Sequence, residues 1–94
     1  MLRKYLTKIS GDYNDYILGR ITGIMYCICD RPNNPEVVQG LRHRTNSITG
    51  VECYILTTYC TEEQYQEFVD IVYEQFRELV KFDFDYQEGM FIHE

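Results

Sequence analysis

Long apolar runs and catalytic motifs are the main features that this chain lacks. No stretch of its 94 residues approaches the ~20 consecutive apolar residues that a membrane-spanning helix needs. The opening residues 1–5 also lack the apolar core of a secretory signal. We therefore expect a cytoplasmic protein with no membrane association, whose four cysteines stay reduced.

The cysteines and histidines do not form a metal motif. Cys27 and Cys29 are one residue apart, which on a strand would place both thiols on one face, but no C-x-x-C pair accompanies them. The Gly19-x-x-x-Gly23 segment lacks the Lys and Ser/Thr that follow the glycines of a phosphate-binding loop. No nucleophile motif accompanies His43. We expect buried, unreactive thiols, no metal, no cofactor and no enzymatic activity.

Tryptophan is absent, whereas tyrosine occurs nine times. Tyrosine combines a broad ring with one polar tip, so a surplus of it is common at binding surfaces, although most tyrosines are half-buried. With 45% hydrophobic and 26% charged residues, the composition is typical of a folded globule. We interpret residues 1–94 as a single small domain.

The clearest element is an amphipathic helix predicted from Thr61 to Val80. Thr61 and Gln64 have the spacing of a capping box, and the apolar residues recur at helical intervals. This apolar stripe comprises Tyr65, Phe68, Val69, Val72, Phe76, Leu79 and Val80. The remaining elements must cover it.

Strands are predicted on both sides of this helix. Residues 51–60 are apolar on both faces, which predicts a strand in the middle of a sheet. Residues 2–9 fit either a helix or an edge strand guarded by lysines, and we favour the strand. Apolar and polar residues alternate over 82–87, and Glu88-Gly89 is suited to a hairpin turn that returns through residues 90–92.

Two segments are harder to assign. Residues 17–29 are nearly continuous in apolar side chains, which favours a buried strand, while isoleucines at helical spacing leave a helix open. Gly19 and Gly23 weigh against the helix. A short helix is predicted over residues 35–44, with Val37, Val38 and Leu41 facing inward. The expected fold class is α+β, a mainly antiparallel sheet of about four strands with two helices packed on one face.

Charge is distributed unevenly. Residues 1–50 carry seven Lys/Arg and four Asp/Glu, whereas residues 51–94 carry two and eleven. An acidic surface of this kind disfavours direct nucleic-acid binding and favours a basic protein partner. We therefore expect a small non-enzymatic homodimer that binds a macromolecule through an acidic, tyrosine-bearing surface, by compositional analogy with the inhibitors that phages and mobile elements direct at host systems. The candidate partner-binding residues are Glu63, Glu67, Asp70, Glu74, Asp83 and Asp85.

An alternative function uses the basic residues of the first half. Arg31, Arg42, His43 and Arg44 concentrate positive charge where the predicted helix over 35–44 ends. Guanidinium groups pair well with phosphate, so this cluster predicts an oligomeric pocket for a small anionic ligand such as a nucleotide. The other interpretation is a solvated helix end whose basic side chains complement the helix dipole.

Overall fold

The computed structural model describes residues 2–30, 33–34 and 39–87, which form four strands and two helices. Neither helix has the length and apolar character needed to cross a bilayer, a finding that covers those described residues. The elements in chain order are β1 (Arg3–Gly11), α1 (Asp15–Cys29), β2 (Gln39–Thr45), β3 (Glu52–Cys60), α2 (Glu62–Phe76) and β4 (Val80–Asp83).

The four strands make one antiparallel sheet in the order β2-β3-β1-β4. Each helix therefore connects two strands that are separated by a third strand inserted between them. This is the topology of the ferredoxin-like β-α-β-β-α-β arrangement, which hosts many unrelated functions. The fold class predicted from the sequence is confirmed, but the fold by itself does not indicate what the chain does.

Strands β1 and β3 form the centre of the sheet. The prediction of a central strand over residues 51–60 is confirmed, and residues 2–9 do form a strand, although β1 is central and not at an edge. Tyr5 and Ile9 point to the side where both helices pack, which we call the helix face. Lys4 and Lys8 alternate with them onto the other side, which we call the far face.

Residues 17–29, predicted as a buried strand, form helix α1. Asn14 caps its start, since the side-chain Oδ1 accepts the N–H of Ile17 at 2.9 Å, and Asp30 ends it in the left-handed conformation with φ 47°. One stripe of the helix is buried, and both glycines lie on its exposed side. The strand prediction was therefore wrong, because the apolar run supplies one buried stripe together with several exposed side chains. The buried residues of α1 are Ile17, Leu18, Ile21, Met25 and Cys29.

Residues 39–45 form β2, so the helix predicted over 35–44 is wrong in this part. Asn46 builds a tight turn, since its side-chain oxygen accepts two backbone N–H groups and its carbonyl accepts the N–H of Gly50. The turn folds β2 back onto β3, where seven residues find pairing partners. Leu41 does pack toward the core, by strand alternation. The inward positions predicted for Val37 and Val38, like the rest of 35–38, lie outside the described residues.

Helix α2 confirms the predicted amphipathic helix and its capping box. Thr61 Oγ1 accepts the N–H of Gln64 at 3.1 Å, and Gln64 Oε1 accepts the N–H of Thr61 at 2.9 Å. The helix ends at Phe76, four residues before the predicted end at Val80. Val80 instead opens β4, where it lies opposite Gly11 of β1.

The alternation predicted over residues 82–87 continues only to Asp83. Asp85 adopts φ 50°, a left-handed conformation that changes the direction of the chain. Phe82 and Phe84, which precede it, pack with the helix-face core, whereas Tyr86, which follows it, is buried with Leu6 on the far face. The hairpin predicted at Glu88-Gly89 and residues 90–92 lies outside the described residues.

Candidate interaction surface

Four of the six predicted partner-binding acids lie on one exposed side of α2. Glu63, Glu67, Asp70 and Glu74 follow one another in steps of four, three and four, which places them on one face of the helix, opposite its buried stripe. All four side chains are exposed. We call these residues the acidic stripe. No Lys or Arg occurs within α2 to neutralise it.

The other two predicted acids are separate from this stripe. Asp83 lies on β4 opposite Lys8, which places it on the far face. Asp85 forms an ion pair with Arg3, with Nη2 and Oδ2 3.0 Å apart. The six acids therefore do not form one continuous surface, and one of them is matched by a cation from the basic first half of the chain.

Alternation along β2 separates the predicted anion-binding residues. Arg42 and Arg44 point to the far face, while His43 points to the helix face. There His43 Nε2 lies 3.4 Å from Glu52 Oε1, and the imidazole ring meets Tyr54 edge-on. The histidine therefore belongs to a different surface from the two arginines, and Arg31 lies outside the described residues.

The far face carries most of the positive charge that the structure describes. Five Lys/Arg residues occupy it, compared with one acid of the sheet, Asp83. The molecule is thus polarised between an acidic helix layer and a basic sheet face. The five cations are Lys4, Lys8, Arg42, Arg44 and Lys81.

Three of the four cysteines are buried in the core. Cys29, Cys53 and Cys60 are buried as predicted, but Cys27 is exposed on α1, so the prediction of a buried thiol was wrong for Cys27. The prediction that Cys27 and Cys29 share one strand face was also wrong, because both lie on a helix. Burial raises the pKa of the Cys60 thiol to about 12, which keeps it protonated and unreactive at neutral pH. Among the described residues, no three His, Cys, Asp or Glu side chains come together as metal ligands.

The buried hydroxyl of Tyr65 forms hydrogen bonds that stabilise the fold. Tyr65 lies under the sheet with its ring stacked on Tyr5 at 4.1 Å between centroids. Its hydroxyl is 2.9 Å from Thr7 Oγ1 and accepts the N–H of Asp85 at 2.9 Å. Burial raises the pKa of Tyr65, so the phenol stays neutral and fixes the turn after β4 to the core.

Four of the nine tyrosines are exposed, and three of these lie on the helices. Tyr16 and Tyr26 project from α1 and Tyr73 projects from α2, while Tyr59 is on β3. Tyr73 therefore shares α2 with the acidic stripe, and Tyr16 and Glu67 lie together between the two helices.

Between α1 and α2 the helix layer contains an open apolar groove of about 780 Å³. Gly19 and Gly23 form part of one wall, and Glu67 of the acidic stripe and Ile71 form part of the other. The groove also includes Asp15, Tyr16, Arg20, Ile24, Cys27 and Ile28.

No family model matches the chain, and no curated protein or solved structure is significantly similar to it. The evidence for its function therefore comes from the surfaces described above.

Sequence reasoning identified the acids of α2 and missed the groove beside them. The groove depends on α1, which was predicted as a strand, so Gly19 and Gly23 appeared on a different element. The four-residue spacing of the two glycines puts both on one face of a helix and permits close packing, but their low helix propensity outweighed this signal.

Proposed function

We propose that this chain is a small non-catalytic binding protein that holds a basic macromolecular partner against the acidic stripe and its neighbouring tyrosines. The observation that supports the proposal is the uninterrupted run of four exposed carboxylates on a helix without one Lys or Arg. Such a surface attracts a positively charged partner over long range and selects it by charge.

The stripe costs the isolated protein some stability. Glu63 with Glu67, and Asp70 with Glu74, are like-charge pairs four residues apart, each destabilising a helix by about 0.2–0.5 kcal/mol. Lysines at two of these positions would convert the repulsion into attraction. A partner that supplies the missing cations explains why the acids are kept together.

The spacing of the stripe also suits imitation of a nucleic acid. The four carboxylates span about 17 Å of helix, with about 5–6 Å between successive ones, compared with one phosphate per 3.4 Å along each strand of duplex DNA. We propose that a nucleic-acid-binding protein of the cytoplasm is the partner, and that occupying its basic site inhibits it. This role is the one that small inhibitors from phages and mobile elements perform.

The test compares two variants with equal changes in net charge. One carries Glu67→Gln, Asp70→Asn and Glu74→Gln in the stripe, and the control carries Asp12→Asn, Glu52→Gln and Asp83→Asn outside it. Each immobilised protein is exposed to an extract of the source cells at moderate salt, and the bound proteins are identified and quantified by mass spectrometry.

We expect the wild type and the control to capture the same basic proteins. The stripe variant should capture at least about tenfold less of them, which corresponds to a loss of roughly 1.4 kcal/mol in binding free energy. The stripe variant should remain folded in far-ultraviolet circular dichroism. Equal capture by all three proteins would contradict the proposal, because the stripe would then have no part in recognition.

The far face favours a second candidate function, capture of a small anionic ligand. Arg42 and Arg44 point from it side by side, together with three lysines. ATP or tripolyphosphate at a hundred times its dissociation constant should add about 2.7 kcal/mol to the free energy of unfolding. The shift should disappear in Arg42→Ala/Arg44→Ala and persist in His43→Ala, since His43 is on the other face. Absence of any shift would exclude this function.

A further inference from the structure

The groove beside the acidic stripe contains two glycines that the fold does not require. Gly19 and Gly23 lie within α1, and neither has the positive φ that calls for glycine. A Cβ atom added at either position would meet no atom of the described residues within 4 Å. Alanine in their place would favour the helix more than glycine does, so the packing of the described residues does not explain their small size.

The shape of the groove fits a helix. Its lining residues extend from Asp15 to Ile28 along α1, about 20 Å or a little under four turns. The walls are apolar at Ile24, Ile28 and Ile71, and the glycine side allows close approach of another backbone. An amphipathic helix places side chains at i, i+3, i+4 and i+7 into grooves of this kind.

The charge around the groove decides which helix can occupy it. Helices α1 and α2 together carry six acids and one Arg, a net charge of −5. A second copy of this chain would bring another −5 against it, and the repulsion would oppose a symmetric contact. A helix with Lys or Arg along the edge of its apolar face that meets α2 would instead place cations beside Glu67 and the rest of the stripe.

We propose that the groove between α1 and α2 receives one basic amphipathic helix of the partner, with apolar side chains packed over Gly19 and Gly23 and cationic side chains directed at the acidic stripe. This inference rests on the proposed function. It adds that the bound segment of the partner is an amphipathic helix, whereas the stripe alone indicates only that the partner is basic.

The test uses a defined probe. A 14-residue peptide carries Leu or Ala at positions 3, 6, 7, 10 and 14 and Lys or Gln elsewhere, and a control peptide has the same composition with its apolar residues dispersed. Binding is followed by fluorescence anisotropy. Cys27 lines the groove and is exposed, so slower alkylation of its thiol by a maleimide reports occupancy of the groove.

The protein variants distinguish the effect of the open groove from the effect of the charge of the acidic stripe. Gly23→Leu fills the groove, and Gly40→Leu is a matched control, since it adds the same side chain in an open position on β2. The stripe variant Glu67→Gln/Asp70→Asn/Glu74→Gln removes charge and leaves the groove open. Circular dichroism checks that each variant keeps the helical content of the wild type.

We expect the amphipathic peptide to bind about tenfold more tightly than its control, to protect Cys27, and to lose about tenfold in affinity with Gly23→Leu and not with Gly40→Leu. Equal affinity for the two peptides, or unchanged affinity in Gly23→Leu, would overturn the inference. Loss of affinity in the stripe variant together with unchanged affinity in Gly23→Leu would leave the proposed function standing without the groove. A concentration-dependent dimer abolished by Gly23→Leu would assign the groove to a second copy and also overturn the inference.

Discussion

At the scale of single residues, Gly19 and Gly23 show how a binding surface can lower the stability of its own helix. Glycine loses more backbone freedom on folding than alanine does, and inside a helix this costs about 0.5–1 kcal/mol per residue. Within the part of the chain that the structure describes, neither glycine recovers that cost through contacts, because an added Cβ would find no neighbour within 4 Å.

We therefore predict that Gly19→Ala/Gly23→Ala raises the free energy of unfolding by about 1–2 kcal/mol, from the helix propensities of the two residues. Urea denaturation followed by circular dichroism measures the change. Gly11→Ala is the opposite case, because Gly11 has φ 90° and an added Cβ would lie 3.3 Å from backbone atoms of Leu79 and Lys81. That variant should lose more than about 1 kcal/mol. A destabilised Gly19→Ala/Gly23→Ala protein would show that the glycines have a structural role.

Another residue-scale prediction concerns Cys60 at high pH. Its thiol has a pKa raised by burial to about 12 from an ordinary value of 9, so the unfolded chain releases this proton near pH 9 and the folded chain retains it. The free energy of unfolding should therefore fall as pH rises above 9, by up to about 1.4 kcal/mol per pH unit for one thiol. Urea unfolding at pH 8, 9 and 10 measures the slope. Cys60→Ala should reduce the slope, and an identical slope in that variant would contradict the assignment.

At the scale of elements, local capping signals determined which predictions succeeded. The capping box of α2 and its apolar stripe are both local in sequence, and the helix begins where they predicted. In α1 the isoleucines at helical spacing left a helix open, but the dense apolar run and the two glycines favoured a strand, and the Asn14 cap was not used. In β2 only Leu41 reaches the core, so the pairing with β3 that makes it a strand is not visible in its own residues.

The cap of α2 gives a prediction at this scale. Thr61→Ala removes the side-chain oxygen that accepts the N–H of Gln64, which should lower the free energy of unfolding by about 1 kcal/mol. Thr61→Ser keeps the oxygen and should differ little from the wild type. Thermal or urea unfolding distinguishes the two variants, and equal stability of Thr61→Ala and Thr61→Ser would mean that the hydrogen bond contributes nothing.

At the scale of the whole molecule, the fold class was predicted correctly although two elements were wrong. One predicted strand became α1 and part of one predicted helix became β2, so the number of strands and helices was preserved. The strand order and the groove depend on which elements lie next to each other in space, information that composition and periodicity do not contain. The acidic stripe depends only on the helical period of α2, so it could be predicted from the sequence.

The net charge of −6 leads to a prediction for the entire chain. Added salt screens repulsion among the acids of α2, so raising NaCl from 0.01 M to 0.5 M should increase the free energy of unfolding by a few tenths to about 1 kcal/mol. The stripe variant should show a smaller increase. Stability that decreases with salt would mean that the exposed ion pairs, such as Arg3 with Asp85, outweigh the repulsion.

The central position of β1 has a consequence for folding kinetics. This strand is formed by residues 3–11 but pairs with residues 54–60 on one side and 80–83 on the other. Both ladders close long loops, so β1 cannot pair early with a neighbouring segment, as β2 and β3 can across the Asn46 turn. Stopped-flow refolding should accordingly show helix signal gained before protection of β1 amides, with the first strand of the chain becoming ordered late.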